Sequence, residues 1–285
     1  MIERRPVANA FGHTILIVTI LIVAFPIYLA MIAASHTVQD ISQSPMPILP
    51  GAEFFINTAK ALFEGPQIVG VSRATPAILL MMNSLIMAIS IAVGKIVISL
   101  LSAFAIVYFR FPLKNFFFWM IFITLMLPVE VRIIPTYKVI ADLGMLDSYT
   151  GLILPLIASA TATFLFRQFF MTVPDELVEA ARIDGAGPMR FFWDILVPLT
   201  RTSIAAMFVI QFIYGWNQYL WPLLIASDPQ YQTIVLAIGR LIRAPDAFYE
   251  WPVIMGMAVL ALLPPVAVVV LMQRWFVKGL VETEK

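Results

Sequence analysis

The sequence predicts an all-α integral membrane protein with six spanning helices, and three observations carry that expectation. Hydrophobic residues make up 61% of the chain and charged residues only 12%, against roughly half and about a quarter in an ordinary globular domain. Long uncharged runs recur along the chain. A single segment, residues 167–201, interrupts them with a dense set of charges from Arg167 to Arg201. Phe at 22 positions and Trp at 6 suit lipid-facing and interfacial sites, and 20 Pro with 13 Gly are compatible with membrane helices whose neighbours satisfy the backbone. A net charge of +1 offers no basic stripe for nucleic acid. The absence of Cys excludes disulfides, thiolate metal sites and cysteine nucleophiles.

Residues 14–34 carry no charge and, at about 1.5 Å rise per residue, cross a hydrocarbon core of roughly 30 Å. Arg4 and Arg5 precede this run as in a signal peptide, but it exceeds an h-region of about 7–15 residues and no A-x-A site follows it before Ser35, so a retained helix is expected. Residues 35–76, with Pro45, Pro47, Pro50 and Pro66, read as an external loop with short helices. The second span lies within 77–109, interrupted only by Lys95. The third covers about 115–135 with Pro128 near its outer end, and the fourth about 148–166. The fifth, about 202–226, and the sixth, about 252–273, are separated by a polar segment with Arg240, Arg243, Asp246 and Glu250. Six spans place both termini on one side.

Lys and Arg near the ends of spans are retained in the cytoplasm. One side would hold Arg4, Arg5, Arg110, Lys114, Arg167, Arg182, Arg190, Arg201, Arg274, Lys278 and Lys285; the other would hold only Lys60, Arg73, Arg132, Lys138, Arg240 and Arg243. The termini and residues 167–201 are therefore expected in the cytoplasm.

Within that segment, EAARIDGAGPMRFFWDILVP (179–198) reads as a helix-turn-helix. Pro174 suits a first helical turn, and Asp175 and Glu176 complement the positive end of the dipole. Leu177, Ala180, Ala181 and Ile183 recur on roughly one face, and Gly185 supplies the stop. A second helix is expected from Pro188, burying Phe192, Trp193 and Leu196 and ending before Pro198.

This segment resembles the EAA loop of ABC importer permeases at Glu179, Ala180, Ala181, Asp184, Gly185, Ala186, Ile195 and Pro198. The chain is similar in particular to the carbohydrate-importer branch that includes maltose permeases. Asn83-Ser84, Pro128 with Pro135, the Trp216 to Pro222 stretch WNQYLWP, Gln273-Arg274 and Gly279-Leu280 carry that likeness. Thr202 departs from it, because many relatives place a second Pro there. FRFPLKNFFFWMIFITLMLPVEVRIIPT and the opening MIERRP look like the second permease subunits of sn-glycerol-3-phosphate importers. The resemblance implies a type I importer permease domain over 77–275, after a first helix and periplasmic segment (1–76) and before a cytoplasmic tail (276–285). It implies a coupling helix on a separate ATPase, present in two copies that bind ATP and Mg, together with a homologous permease and a periplasmic binding protein. No cofactor or metal on this chain is implied, and the location implied is a bacterial inner membrane. Glycerophosphodiesters and other small sugars or polyols remain alternative cargo.

A phosphorylated triol needs a cationic or donor-rich path. Lys95, in mid-span, is the first candidate; its other reading is a side chain that snorkels or pairs with a carbonyl or a sister subunit. Asn83, Asn217 and Gln218 offer neutral donors, or else satisfy backbone at helix ends. Arg132 and Arg167 read as interface anchors. Trp216, Trp221 and Trp251 read as an aromatic belt, and the pairs Ala88/Ala92 and Ala158/Ala162 as close-packing faces. The chain lacks G-x-x-x-x-G-K-[ST], H-E-x-x-H and G-x-S-x-G, so neither an ATPase nor a metalloprotease or serine hydrolase is expected, and His13 and His36 read as interfacial. A passive channel would share the spans but would have no need of the docking element.

Overall fold

The computed structural model describes residues 6–67, 73–124, 129–243 and 250–281. Pro128, Asp246, Arg4, Arg5 and Lys285 lie outside the described residues. All regular structure among the described residues is helical. In chain order the helices are α1 (Pro6–Ala34), α2 (Val38–Ile41), α3 (Phe54–Phe63), α4 (Ala77–Tyr108), α5 (Lys114–Ile123), α6 (Val129–Asp142) and α7 (Tyr149–Ile153). There follow α8 (Ala160–Phe170), α9 (Asp175–Ile183), α10 (Pro188–Phe191), α11 (Val197–Leu199), α12 (Arg201–Trp216), α13 (Leu220–Ile225), α14 (Ile234–Arg243) and α15 (Trp251–Val281). The chain divides into two compact units, one of Met1–Leu79 with Ala237–Leu263, the other of Leu80–Leu236 with Pro264–Lys285.

In the first unit, α1 is apolar around its whole circumference and leaves Leu16, Ile20 and Val23 exposed, as a helix solvated by hydrocarbon does. It stops where Ser35 turns its hydroxyl back to the Ile32 carbonyl. Thr37 and Asp40 then form a capping box that starts α2, and the hydrogen bonds from Thr37 hold the Asp40 carboxyl below its ordinary range. Asn57 of α3, buried, donates to the carbonyls of Ala34 and His36 at 2.9 Å each and so ties α3 to the end of α1. Gly256 of α15 lies against the backbone of Asn57 and Thr58, where a side chain would crowd.

In the second unit α4 is the longest continuous element. It buries Met87, Ala88, Ile91 and Ala92 along one face, as the Ala88/Ala92 spacing predicts. Around it the expected third, fourth and fifth spans are not single helices. Helix α5 stops at Ile123, where Thr124 turns its hydroxyl to the Ile121 carbonyl, and the chain resumes as α6 with Pro135 inside it. The fourth stretch bends by 46° between α7 with its 3₁₀ extension and α8. Ser159 causes the restart, since its hydroxyl accepts the Ala162 N–H and so caps a fresh helix. The fifth stretch breaks after Trp216, and the preceding Pro188–Leu199 segment meets α12 at 74°. Among the described residues, three helices are long and apolar enough to cross a membrane, or up to five if each bent pair is one span. Hydropathy reads side chains, and a restart such as the one at Ser159 is a backbone event set by a cap.

Two further expectations are corrected. Trp216 and Trp221 are 2% and 4% exposed, core residues and not belt residues: Trp216 stacks on Phe212, and Trp221 donates its indole N–H to the Gly151 carbonyl at 3.1 Å. Ala158 sits in the break before α8, so it shares no helical face with the buried Ala162.

Gly215 of α12 lies so close to α4 that a Cβ there would come within 2.9 Å of the Ala88 Cα. Gly215→Ala is therefore expected to cost about 1–3 kcal/mol by overpacking, seen as a lower thermal unfolding midpoint. Gly12→Ala, inside α1 with open space around it, should not lower that midpoint.

Candidate functional site

The helix-turn-helix predicted from the sequence is present, with a different distribution of faces. Pro174 stands at the N-cap of α9, one position before the first turn where the sequence placed it, and Asp175 and Glu176 follow in the first turn. The helix ends in a Schellman motif: the Gly185 N–H donates to the Arg182 carbonyl and the Ala186 N–H to the Ala181 carbonyl. Gly185 has φ +73°, a left-handed conformation that disfavours any side chain. The side chains that pack downward are Ala181, Val178 and Ala186, against Phe104, Phe170 and Phe191 in one cluster. Leu177, Ala180 and Ile183 point away instead; Ile183 is 86% exposed. A helix of this length has one buried stripe, and of the four residues the sequence places on one face only Ala181 lies on it.

Beyond Gly187 the second helix does not stop before Pro198. It widens into a π-helical turn over Phe192–Leu196 and continues through α11 to Leu199. The wider turn lets Val197 donate its N–H to the Phe192 carbonyl five residues back. Phe192 and Leu196 are buried as expected, but Trp193 is 60% exposed and joins Ile183 and Met189 as uncovered apolar side chains. Thr200 closes the segment, its hydroxyl bonded to the Leu196 carbonyl. Of the motif residues, Glu179, Ala180, Asp184, Gly185 and Pro198 are exposed, Ala181 is buried, and Ala186 and Ile195 are half-buried against the same cluster.

The second feature is a cavity of about 720 Å³ bounded by α4, α5, α6, α8 and α12. Lys95 lines it at 6% exposure. Its ammonium donates to Gln211 Oε1 at 3.0 Å and lies 3.7 Å from the centre of the Tyr214 ring. Both partners are neutral. Arg132, read from the sequence as an anchor, lines this cavity and also a smaller one of about 60 Å³ beside Gln218 and Trp221. Ser159, Thr161 and Thr163, at the start of α8, complete the polar part of the larger wall.

The other path candidates lie elsewhere. Asn83 is fully buried, donates to the Gln230 and Gln232 carbonyls at 2.8 and 2.9 Å, and accepts from the Tyr149 hydroxyl at 2.7 Å. With Ser84, which accepts the Ile234 N–H at 2.9 Å, it clamps the loop after α13. Asn217 is exposed at the end of α12 and lines neither cavity, while Gln218 lines the smaller one and donates to the Tyr214 carbonyl. Arg167 places its guanidinium 4.3 Å from the centre of the Phe118 ring and lines neither cavity. Gln211 and Tyr214 escape sequence reasoning. A lone amide in the apolar run AAMFVIQFIYGW carries the same signal as Lys95, but nothing in the order of residues pairs the two.

Comparison with known proteins identifies the family. Over all 286 aligned residues, spanning both chains completely, the sequence is 62% identical to the sn-glycerol-3-phosphate transport system permease protein of Brucella melitensis and 62% identical to that of Rhizobium meliloti. The Yersinia pestis permease protein of the same name is 58% identical over 285 residues. Among solved structures, a bacterial ABC transporter involved in import of the acidic polysaccharide alginate shares the fold at TM-score 0.82. It has 18% identity, and the match covers 97% of this chain and 99% of that one. The family model for inner membrane components of binding-protein-dependent transport systems matches residues 95–282, a range that includes the helix-turn-helix and the cavity. The chain belongs to the family of binding-protein-dependent transport system inner membrane components.

Proposed function

We propose that this chain is one of two permease subunits of an ATP-driven importer that carries sn-glycerol 3-phosphate across a bacterial inner membrane. In this reading six spans, some of them broken, cross the bilayer with both termini in the cytoplasm. Residues 174–200 dock on one of two copies of a separate ATPase, which alone binds ATP and Mg, and a periplasmic binding protein delivers the substrate. The observation that carries the proposal is the asymmetry of the helix-turn-helix. Ala181, Phe191, Phe192 and Leu196 anchor it in the core while Ile183, Met189 and Trp193 stand uncovered. An anchored element with exposed apolar side chains is a surface made for a partner. A passive channel has no use for it. Rigid coupling to α4 through the Phe104–Phe192 ring contact, centroids 4.9 Å apart, supplies the route by which closure of the ATPase moves the spans. The substrate reading draws on the named relatives and on Lys95 in the cavity; Gln218 lines the adjoining space. A phosphodiester of glycerol presents the same anionic group and is the alternative cargo.

Ile183→Asp and Trp193→Ala replace exposed side chains, so each should move stability by no more than about 0.5 kcal/mol. Each should lower ATP-driven uptake by roughly tenfold or more through loss of a docking contact, as should Glu179→Lys. Uptake and ATP hydrolysis in vesicles holding the assembled importer check this, and normal coupled uptake by all three would refute the docking role. The same vesicles with unaltered protein should accumulate labelled glycerol 3-phosphate, with excess maltose failing to compete. Accumulation of maltose instead would replace the substrate.

A further inference from the structure

The cavity beside Lys95 has a one-sided charge pattern. Lys95 of α4 and Arg132 of α6 both line it, and its described lining residues include no Asp or Glu. Among the described residues neither cation has a carboxylate within ion-pair distance. Taking a lysine out of water is costly unless charge or hydrogen bonds compensate, and such a group within a span is by default there for a task. The contacts Lys95 does make, an amide oxygen and a ring face, hold an ammonium in place without neutralising it. Its charge stays available to a ligand.

The wall opposite adds to the same field. The break at 157–159 is brought against α4 at Gly94, where a Cβ would meet the Ile157 side chain at 2.7 Å, and by the Ser99 hydroxyl donating to the Ser159 carbonyl at 3.3 Å. That packing turns the first residues of α8 (Ser159, Ala160, Thr161 and Thr163) onto the cavity. Ser159 takes the Ala162 N–H, and the remaining N–H groups of this first turn, those of Ala160 and Thr161, favour an anion together with the dipole end. Arg132 stands where the large cavity meets the small one, and a guanidinium offers two parallel donors to a phosphate.

We infer that Lys95 and Arg132, with the start of α8, form a binding subsite for the phosphate of a small phosphate monoester on its way through the permease. The inference rests on the importer reading and deepens it by assigning recognition of the anionic end of the substrate to this chain. Lys95 contributes a fixed point charge and Arg132 a fork. The cavity, at about 720 Å³, is of a size that holds a small organic ligand.

The chain contains no Cys, so a single Thr161→Cys in the assembled importer, in vesicles of phosphatidylcholine, reports the field at that wall. The rates at which it reacts with an anionic sulfonatoethyl and a cationic trimethylammonioethyl methanethiosulfonate are compared. The anionic reagent is expected to be favoured by about tenfold or more relative to the Lys95→Gln/Arg132→Gln background, and millimolar inorganic phosphate or glycerol 3-phosphate should slow its reaction. Lys95→Arg and Arg132→Lys, which keep the charges, should retain the preference, and Ser102→Cys on the same cavity should repeat it. Equal rates with and without the two cations, no slowing by either anion, or slowing only after phosphatidylglycerol is added would overturn the subsite. If the field and the protection are present but the vesicles import no glycerol 3-phosphate, the subsite stands and the substrate reading falls. If import is unchanged by Lys95→Gln/Arg132→Gln and neither anion protects, the subsite falls and the substrate reading stands.

Discussion

In a bilayer a helix can be broken only where the protein itself satisfies the freed backbone and covers the break. In the second compact unit, α4 provides the cover. The interrupted stretches meet it through small residues or direct bonds: Gly215 against Ala88, Ile157 against Gly94, the Ser159 carbonyl under the Ser99 hydroxyl, and the 230–234 loop clamped by Asn83 and Ser84. Remove that close fit and the breaks become unsatisfied backbone in hydrocarbon. The small residues of α4 are therefore a condition for irregularity elsewhere.

Irregularity in turn is what makes the interior polar. An unbroken α7–α8 stretch would bury its N–H groups in its own hydrogen bonds; the capped restart at Ser159 aims a helix start at the cavity that holds Lys95. Likewise the stop after Trp216 frees Gln218 to line the small cavity while Trp221 is held by the Gly151 carbonyl. Elsewhere in the same unit, the cluster of Phe104, Phe170, Phe191 and Phe192 holds α9 to α11 against α4, so that movement imposed on residues 174–200 reaches α4 directly.

Much of this is legible in the order of residues. Composition places the chain in a membrane, the lone charge in a long apolar run singles out Lys95, and Gly185 marks the end of α9 through its need for a left-handed backbone. What is illegible has a common physical cause. Periodicity shows that a face is apolar without saying whether it meets the core or a partner; Trp193 reads as buried and stands exposed, while Trp216 and Trp221 read as interfacial and are buried. Polar residues at helix ends are equally ambiguous. Asn83 is a clamp, whereas Arg132, an anchor by its position in the sequence, lines both cavities, because only tertiary packing decides which carbonyls and which hollows lie within reach.

Docking of residues 174–200 on a separate motor is tested most directly at Ile183, the most exposed apolar side chain of that face. Because the chain has no Cys of its own, Ile183→Cys can carry a short cross-linker in the assembled importer. A covalent product with the ATPase subunit is expected, formed from the cytoplasmic side and at a yield that changes when ATP is bound. Cross-linking only from the opposite side, or none to the ATPase while the complex remains assembled, would contradict the docking role.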